Sequence, residues 1–189
     1  SFGEIYDPFG GIKDLQKKLL ITPLDPETTF KDDPLRILRA IRFTAQLNFN
    51  LNPFIEDAII KEKKGLEFIS KERITEEIIK ILKTKKPSIG FKILNKLNLY
   101  PLVFPEIDEL GGIEIIDGKG HKDVFLHTLE VVDNTAILSD KMEIRFAALM
   151  HDIAKPRTKR FYKDRGWTYY GHEELGQHMI KKIAKRMKI

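Results

Sequence analysis

Apolar residues recur at intervals of three and four along most of this 189-residue chain, and stretches of strict apolar–polar alternation are few. Such spacing places apolar side chains on one face of an α-helix, whereas a half-buried strand needs a period of two. We therefore predict an all-α, mainly helical protein. No apolar run approaches the roughly 18 residues of a membrane span, so we expect a cytoplasmic protein with no membrane partner.

Capping residues mark four helix starts in the first hundred positions. Asp33-Pro34 combines an N-cap with a proline at the first helical position. The predicted helices run from Leu35 to about Leu47, from Asn52-Pro53 onward, from Ser70 to about Lys83 and from Ser88 to Asn95. We expect them to form a first helical bundle.

The glycines and prolines of residues 101–120 suit a connection between two helical units. Beyond it we predict helices from Lys122 to Leu138, from Met142 to about Ile153 and from His172 to Met187, with a short hairpin formed by residues 160–162 and 167–169. The expected domains are a first helical domain over residues 31–110 and a further helical domain over residues 121–189.

The first thirty residues differ from the rest. Glu4-Ile5-Tyr6 is strand-like, and a lone short strand is not stable by itself. We therefore expect residues 1–30 to be the end of a preceding domain, with a β remnant, followed by a linker.

The formal net charge is +5, and its location is uneven. From Lys155 to Ile189 there are 11 Lys and Arg residues against 3 Asp and Glu, a local charge of +8. A solubilising helix face and a phosphate-binding surface explain this excess equally well. The chain has no cysteine, which excludes disulfides, thiolate metal sites and a cysteine nucleophile. A metal must therefore use His and carboxylates.

Arg36, Arg39 and Arg42 recur every third residue after Asp33 and line one side of the predicted helix. On spacing, the simpler interpretation is an ion-pair face in which Asp33 caps the helix and pairs with Arg36. The functional interpretation is that a carboxylate beside a guanidinium group can hydrogen-bond the edge of a nucleobase.

The segment from Asp32 to Phe43, DDPLRILRAIRF, resembles the neck motif of class II tRNA nucleotidyltransferases, the CCA-adding enzymes and their bacterial poly(A) polymerase relatives. Asp7-Pro8-Phe9-Gly10-Gly11 resembles the segment between that family's catalytic head and its neck, and Ser70-Lys71-Glu72-Arg73-Ile74 resembles a later neck motif. These three matches follow the family's order along about the first hundred residues.

The resemblance implies that Asp33 and Arg36 select CTP or ATP by pairing with the base, with Asp32 and Arg39 as further nucleotide-binding residues. Asp32 departs from the family, in which glutamate is commoner. The head's Mg²⁺-binding carboxylates would lie before Ser1, so the chain should have no catalytic residue for polymerisation and should add no nucleotides by itself. The implied partners are ATP, CTP and the 3′ end of tRNA or another RNA.

His127 lies within one predicted helix, and His151-Asp152 ends the next. Two imidazoles and a carboxylate could bind a divalent ion that activates water for phosphate-ester hydrolysis. By residue type, hydrogen-bonded histidines between packed helices are the commoner explanation.

The local sequences His127-Thr128-Leu129, Leu149 to Pro156 and Gly171-His172-Glu173 resemble the first two-thirds of an HD-superfamily phosphohydrolase domain. The resemblance implies that His127, His151 and Asp152 bind a divalent transition metal, that His172 is a second-metal ligand or phosphate contact, and that Lys155 contacts phosphate. The family's fourth ligand, a later aspartate, has no convincing candidate before Ile189. We expect His121 to start a helix and His178 to face solvent.

The aromatic residues of the predicted hairpin are interleaved with Lys and Arg. They could stack on a nucleic-acid end, or they could pack the hairpin onto the core, which we favour for Trp167 and Tyr169. The leading hypothesis is thus part of an RNA 3′-end nucleotidyltransferase that adds CCA, C, A or a poly(A) tail. The alternatives are a metal-dependent HD phosphohydrolase and a non-enzymatic RNA-binding module.

Overall fold

The structure is a computed structural model that describes Gly3 and residues 5–189. The α-helices are α1 (Gly11–Gln16), α2 (Pro26–Asp32), α3 (Leu35–Leu47), α4 (Pro53–Glu62), α5 (Lys71–Leu82), α6 (Ser88–Lys96), α7 (Tyr100–Val103), α8 (Pro105–Asp108), α9 (Val124–Leu138), α10 (Met142–Met150), α11 (Lys155–Thr158) and α12 (His172–Met187), with a 3₁₀ helix at Lys63–Phe68. The strands are β1 (Leu19–Leu20), β2 (Asn50–Leu51), β3 (Ile115–Ile116), β4 (Lys119–Gly120), β5 (Arg160–Tyr162) and β6 (Gly166–Thr168). The prediction of a mainly helical protein is confirmed. No helix in the described part of the chain is long and apolar enough to cross a membrane.

Three of the predicted helix starts have the expected caps. The Asp33 side chain accepts a hydrogen bond from the Leu35 amide at 3.2 Å, and the Asn52 side chain accepts one from Phe54 at 2.9 Å. Ser70 also caps α5. Ser88 does not cap α6, because its hydroxyl donates to the Asp133 carboxylate of α9 at 2.6 Å.

Two predicted elements differ from the structure. Helix α10 ends at Met150 rather than near Ile153, and α11 begins at Lys155. Pro156 explains the break, since it has no N–H for the carbonyl of Asp152 and is tolerated only in the first turn of a new helix. In the strand predicted at residues 4–6, Glu4 lies outside the described residues, and Ile5 and Tyr6 are exposed and in no strand.

The connection at residues 101–120 contains a hairpin that we did not predict. Strands β3 and β4 are antiparallel and joined by Asp117-Gly118. Both turn residues have positive φ, 50° and 73°, as a two-residue type I′ turn requires. The Asp-Gly pair was a usable sequence signal for this turn.

The buried side chains form one continuous core that extends from Phe30 in α2 to Met187 in α12. Helix α3 packs on α5 and α6, α9 packs on α10, and α5 also contacts α10 and α12. The predicted neck and HD parts therefore share this core. Their division into residues 31–110 and 121–189 stays a prediction.

Gly90 in α6 provides a test of this packing. A Cβ at this position would lie 2.6 Å from Cγ2 of Ile81 in α5. We expect Gly90→Ala to lower the free energy of unfolding by about 1–3 kcal/mol, as measured by urea denaturation.

The matched control is Gly176 in α12, where an added Cβ would meet only Ala154 at 3.8 Å. Gly176→Ala should be neutral or stabilise by about 0.5–1 kcal/mol, because alanine favours a helix over glycine. Equal stability of the two variants would contradict the close α5–α6 contact.

Candidate functional site

The start of α3 borders a cleft of about 360 Å³, called here the neck cleft. Asp33, Arg36 and Arg39 all line it, since residues three apart near the start of a helix share a face. The apolar part of its wall includes Phe30 and Phe43. A carboxylate and guanidinium groups beside an apolar wall suit a flat ligand with a polar edge.

The Asp33 carboxylate is held from two directions. One oxygen accepts from the Leu35 amide, and the other lies 3.7 Å from the Arg73 guanidinium of α5. Arg36 donates to the carbonyl of Thr29 at 3.4 Å. The Asp33–Arg36 ion pair considered from the sequence is absent from the described residues, and both residues line the neck cleft.

The other residues of this motif lie elsewhere. Arg42 donates to the buried Glu77 carboxylate at 2.8 Å and joins α3 to α5. Asp32 is exposed at the end of α2 and does not line the neck cleft. The structure therefore gives no geometric support to Asp32 as a nucleotide-binding residue.

A second cluster is formed by His127 of α9 and by His151 and Asp152, which lie in the turn after α10. One potential ligand atom from each lies within 4.8 Å of the other two. The Asp152 carboxylate is buried, and its Oδ2 is 3.1 Å from Nε2 of His151 and 4.0 Å from Nε2 of His127. The helix break at Pro156 places Asp152 in this turn.

Hydrogen bonds orient the rings around Asp152. Nδ1 of His151 lies 2.8 Å from the Ala148 carbonyl and donates to it, so Nε2 is the ring nitrogen that faces Asp152 and that could bind a metal once it has lost its proton. His172, at the first position of α12, has its Nδ1 2.8 Å from the Tyr169 carbonyl and its Nε2 3.8 Å from Asp152 Oδ1. His172 thus lies beside the second carboxylate oxygen.

In this cluster, binding of a metal would be coupled to the loss of a proton from His151, because only an unprotonated ring nitrogen binds a metal. Burial acts to raise the pKa of Asp152, but hydrogen bonds from His151 and Lys155 outweigh it and lower the pKa to about 2. Burial, followed by the charge of Lys122, lowers the pKa of His127. The hydrogen bond to Asp152 raises the pKa of His151. An ionised carboxylate beside imidazoles is a donor set that fits a divalent transition ion.

Lys155 lies at the same cluster. Its Nζ donates to Asp152 Oδ2 at 2.7 Å. The ammonium group therefore lies next to one of the oxygens that would bind an ion in this cluster. A phosphate bound to such an ion would lie close to this charge. Its role as a phosphate contact stays a prediction.

The cluster opens into a cleft of about 590 Å³, called here the metal cleft. Besides His127, Asp152 and Lys155, it is lined by residues of the β3–β4 and β5–β6 hairpins. Trp167 and Tyr169 are half-buried in its wall rather than in the core, contrary to our prediction. Sequence reasoning missed this wall because the β3–β4 hairpin went unrecognised.

The remaining histidines and the basic residues of α12 lie outside the two clusters described above or at their edges. His121 starts no helix, because α9 begins at Val124 with Asp123 as its N-cap. Its ring accepts a hydrogen bond from the Glu114 amide at 3.1 Å and packs against Trp167. His178 is exposed on α12, as expected. In the basic segment, Arg186 and Lys188 pair with Glu106 and Glu72, whereas Lys181, Lys182 and Lys185 are exposed on α12.

Two family models match the chain. One, described as the probable RNA and SrmB-binding site of polymerase A, matches residues 48–110, and the HD domain matches residues 124–189. The multifunctional CCA protein of Psychromonas ingrahamii is 37% identical over 194 residues, covering 99% of this chain and 46% of that protein. The multifunctional CCA protein of Shewanella frigidimarina is 35% identical, and the match covers 99% of this chain and 45% of that protein. The chain thus spans about half the length of the curated relatives it matches.

Solved structures give a consistent result. The CCA-adding enzyme of Bacillus stearothermophilus in complex with CTP is 34% identical, with a TM-score of 0.53 over 58% of this chain and 28% of that one. A tRNA-processing enzyme complex is 20% identical and matches with a TM-score of 0.63 over 97% of this chain and 44% of that one. At this identity, the match supports the fold alone. From both the sequence and the structural matches, nearly the whole chain is similar to part of the multifunctional CCA proteins and CCA-adding enzymes, and it contains matches to an RNA-binding model of polymerase A and to the HD domain.

Proposed function

We propose that this chain provides the nucleotide-selecting and RNA-binding part of a template-independent RNA 3′-end nucleotidyltransferase, with CTP and ATP as donors and a tRNA end as acceptor. The observation that carries the proposal is the placement of Asp33 and Arg36 together on the neck cleft. The similarity to multifunctional CCA proteins and to an enzyme solved with CTP supports it. In this proposal, Mg²⁺ and the polymerising carboxylates belong to a head domain outside these residues.

The pairing chemistry explains why one site would accept both donors. Cytosine and adenine each present an exocyclic amino group beside an unprotonated ring nitrogen, whereas uracil and guanine present a carbonyl beside a ring N–H. The Asp33 carboxylate can only accept hydrogen bonds, and the Arg36 guanidinium can only donate them. Together they match cytosine and adenine and oppose uracil and guanine, while Arg39 supplies positive charge for the phosphates.

The test uses the full-length protein and a tRNA that lacks its CCA end, with CTP, ATP or both supplied and the products sequenced at the 3′ end. Addition of CCA only when both nucleotides are present would support CCA addition, and C-only or A-only products would assign a narrower activity. No extension under any of these conditions would overturn the proposal.

Replacing Asp33 with alanine tests the base-pairing role. We expect the preference for CTP over UTP to fall about 10- to 100-fold, since one hydrogen-bonded pair contributes roughly 1–3 kcal/mol to base discrimination. Single-nucleotide incorporation with each triphosphate measures this ratio. Gln46→Ala, an exposed change near the other end of α3, should keep the wild-type ratio, and an unchanged ratio in Asp33→Ala would contradict the assignment.

A second activity is favoured by the cluster of His127, His151 and Asp152. In this proposal the cluster binds a divalent transition ion, which when bound would supply a nucleophilic water for phosphate-ester hydrolysis. His172 would be a second-metal ligand or would contact the phosphate, and Lys155 would neutralise phosphate charge. The test is metal-dependent release of phosphate from nucleotides by the full-length protein, and its absence with Mn²⁺, Co²⁺ and Ni²⁺ would remove this proposal.

A further inference from the structure

The two hairpins together form one wall of the metal cleft. The indole Nε1 of Trp167, in β6, donates to the carbonyl of Lys119, in β4, at 2.8 Å. This bond joins two hairpins that are about fifty positions apart in the chain and fixes the orientation of the indole. The wall therefore presents Trp167 in one defined position.

Aromatic neighbours hold the same ring. His121 packs against it with ring centroids 5.0 Å apart and planes at 78°, and Phe161 does so at 5.3 Å and 64°. Yet Trp167 is only half-buried and lines the metal cleft. A large aromatic surface that is already immobilised loses little conformational entropy when a flat ligand stacks on it.

The charge around this surface favours an anionic ligand. Lys119, Lys122, Lys155 and Arg165 line the metal cleft, and Asp152 is its only carboxylate among the lining residues that the structure describes. The aromatic wall lies in the same cleft as this carboxylate and His127. The volume of about 590 Å³ suits a ligand of small-molecule size.

We infer that Trp167 is a specificity-determining residue, which stacks on the nucleobase of a nucleoside phosphate whose phosphate lies at the metal cluster. This inference rests on the proposed phosphohydrolase activity and adds the group that distinguishes nucleotides from simple phosphate esters. Packing of the hairpin onto the core would account for a buried Trp167, but it does not account for a half-buried indole that lines a cationic cleft.

The chain provides its own probe, because Trp167 is its single tryptophan. Its fluorescence is measured in the 189-residue chain with Zn²⁺, while AMP or ribose 5-phosphate is added. We expect saturable quenching by AMP and none by ribose 5-phosphate, which has the same phosphate but no base. The affinity for AMP should be at least about fivefold higher, the lower end of what base stacking contributes.

Two substitutions separate stacking from folding. Trp167→Leu removes the ring, and we expect the affinity of the metal cleft for AMP to fall at least about fivefold with unchanged Zn²⁺ binding. It is measured by equilibrium dialysis in chains that also carry Arg36→Ala, so that the neck cleft does not contribute. Trp167→Phe keeps an aromatic face but loses the bond to Lys119, and it should retain most of the preference for AMP. Arg36→Ala, in the neck cleft, should leave the quenching of Trp167 unchanged.

Equal affinity for the two probes, or an unchanged affinity for AMP in Trp167→Leu, would overturn the inference while leaving the metal cluster intact. Loss of quenching in Arg36→Ala would also overturn it, since the signal would then arise from the neck cleft. If the full-length protein binds none of Zn²⁺, Mn²⁺, Co²⁺ and Ni²⁺, the phosphohydrolase proposal fails and this inference fails with it.

Discussion

Replacing His151 with alanine is expected to lower the affinity of this chain for Co²⁺ by at least about 100-fold, because even the residues that only orient metal ligands contribute 10- to 100-fold. His151 supplies one of three donors that lie within 4.8 Å of one another, and its Nδ1 is already held by the Ala148 carbonyl. Without it, His127 and Asp152 would be left as a two-residue site. Isothermal titration of the wild-type and variant chains measures the difference.

His178→Ala is the matched control, since this histidine is exposed on α12 and belongs to no cluster of the described residues. It should bind Co²⁺ like the wild type. At a Co²⁺ concentration 100 times the Kd, the wild-type chain should also gain about 2.7 kcal/mol of stability, which a chelator removes. Equal Co²⁺ binding by the wild type and His151→Ala, or none by either, would contradict the metal assignment.

Replacing Arg145 with methionine is expected to lower the free energy of unfolding by about 3–5 kcal/mol, the usual effect of breaking a buried charged network. Arg145 lies in α10 and is 3% exposed. Its five N–H donors are all used: Nε bonds Ser139, one terminal nitrogen bonds the carbonyls of Leu82 and Thr84, and the other bonds the Ala136 carbonyl and the Asp140 carboxylate.

The bonds of Arg145 connect the end of α5 to the end of α9, so they join the predicted neck and HD parts. Methionine would fill much of the volume but leave four buried or half-buried carbonyls without this donor.

Arg145→Lys, with three donors instead of five, should give an intermediate loss. Arg165→Met, at an exposed arginine whose ion pair is with its exposed neighbour Asp164, should change stability by no more than about 0.5 kcal/mol. Urea unfolding that gave Arg145→Met the same stability as Arg165→Met would contradict the structural role of Arg145.

Local chemistry made most of the helices predictable. A cap satisfies backbone N–H groups within three residues of itself, so Asp33, Asn52 and Ser70 mark their helix starts wherever those helices pack. Where a residue had a distant partner, the same reasoning failed. Ser88 has a capping side chain by type, but its hydroxyl binds Asp133, 45 positions further along the chain.

In the candidate sites too, local features could be predicted from the sequence, whereas contacts between distant residues could not. The motif around Asp33 and Arg36 is local, and the structure places both residues on one cleft, while Arg42, on the same predicted stripe, pairs with Glu77 instead. His127, His151 and Asp152 were grouped from sequence through the resemblance to HD domains. Their approach to within 4.8 Å depends on the packing of α9 against α10.

The sequence by itself determined the helical character of this protein, most of its helix starts, the family resemblance and the two sets of candidate residues. These depend on periodicity and on contacts within a few positions. Only the tertiary structure decided that Arg145 joins the two parts, that Asp32 lies away from the neck cleft, and that Trp167 meets Lys119 in a wall beside the metal cluster. Each of those facts rests on contacts between residues far apart in the chain, and these exist only once the helices and hairpins have packed.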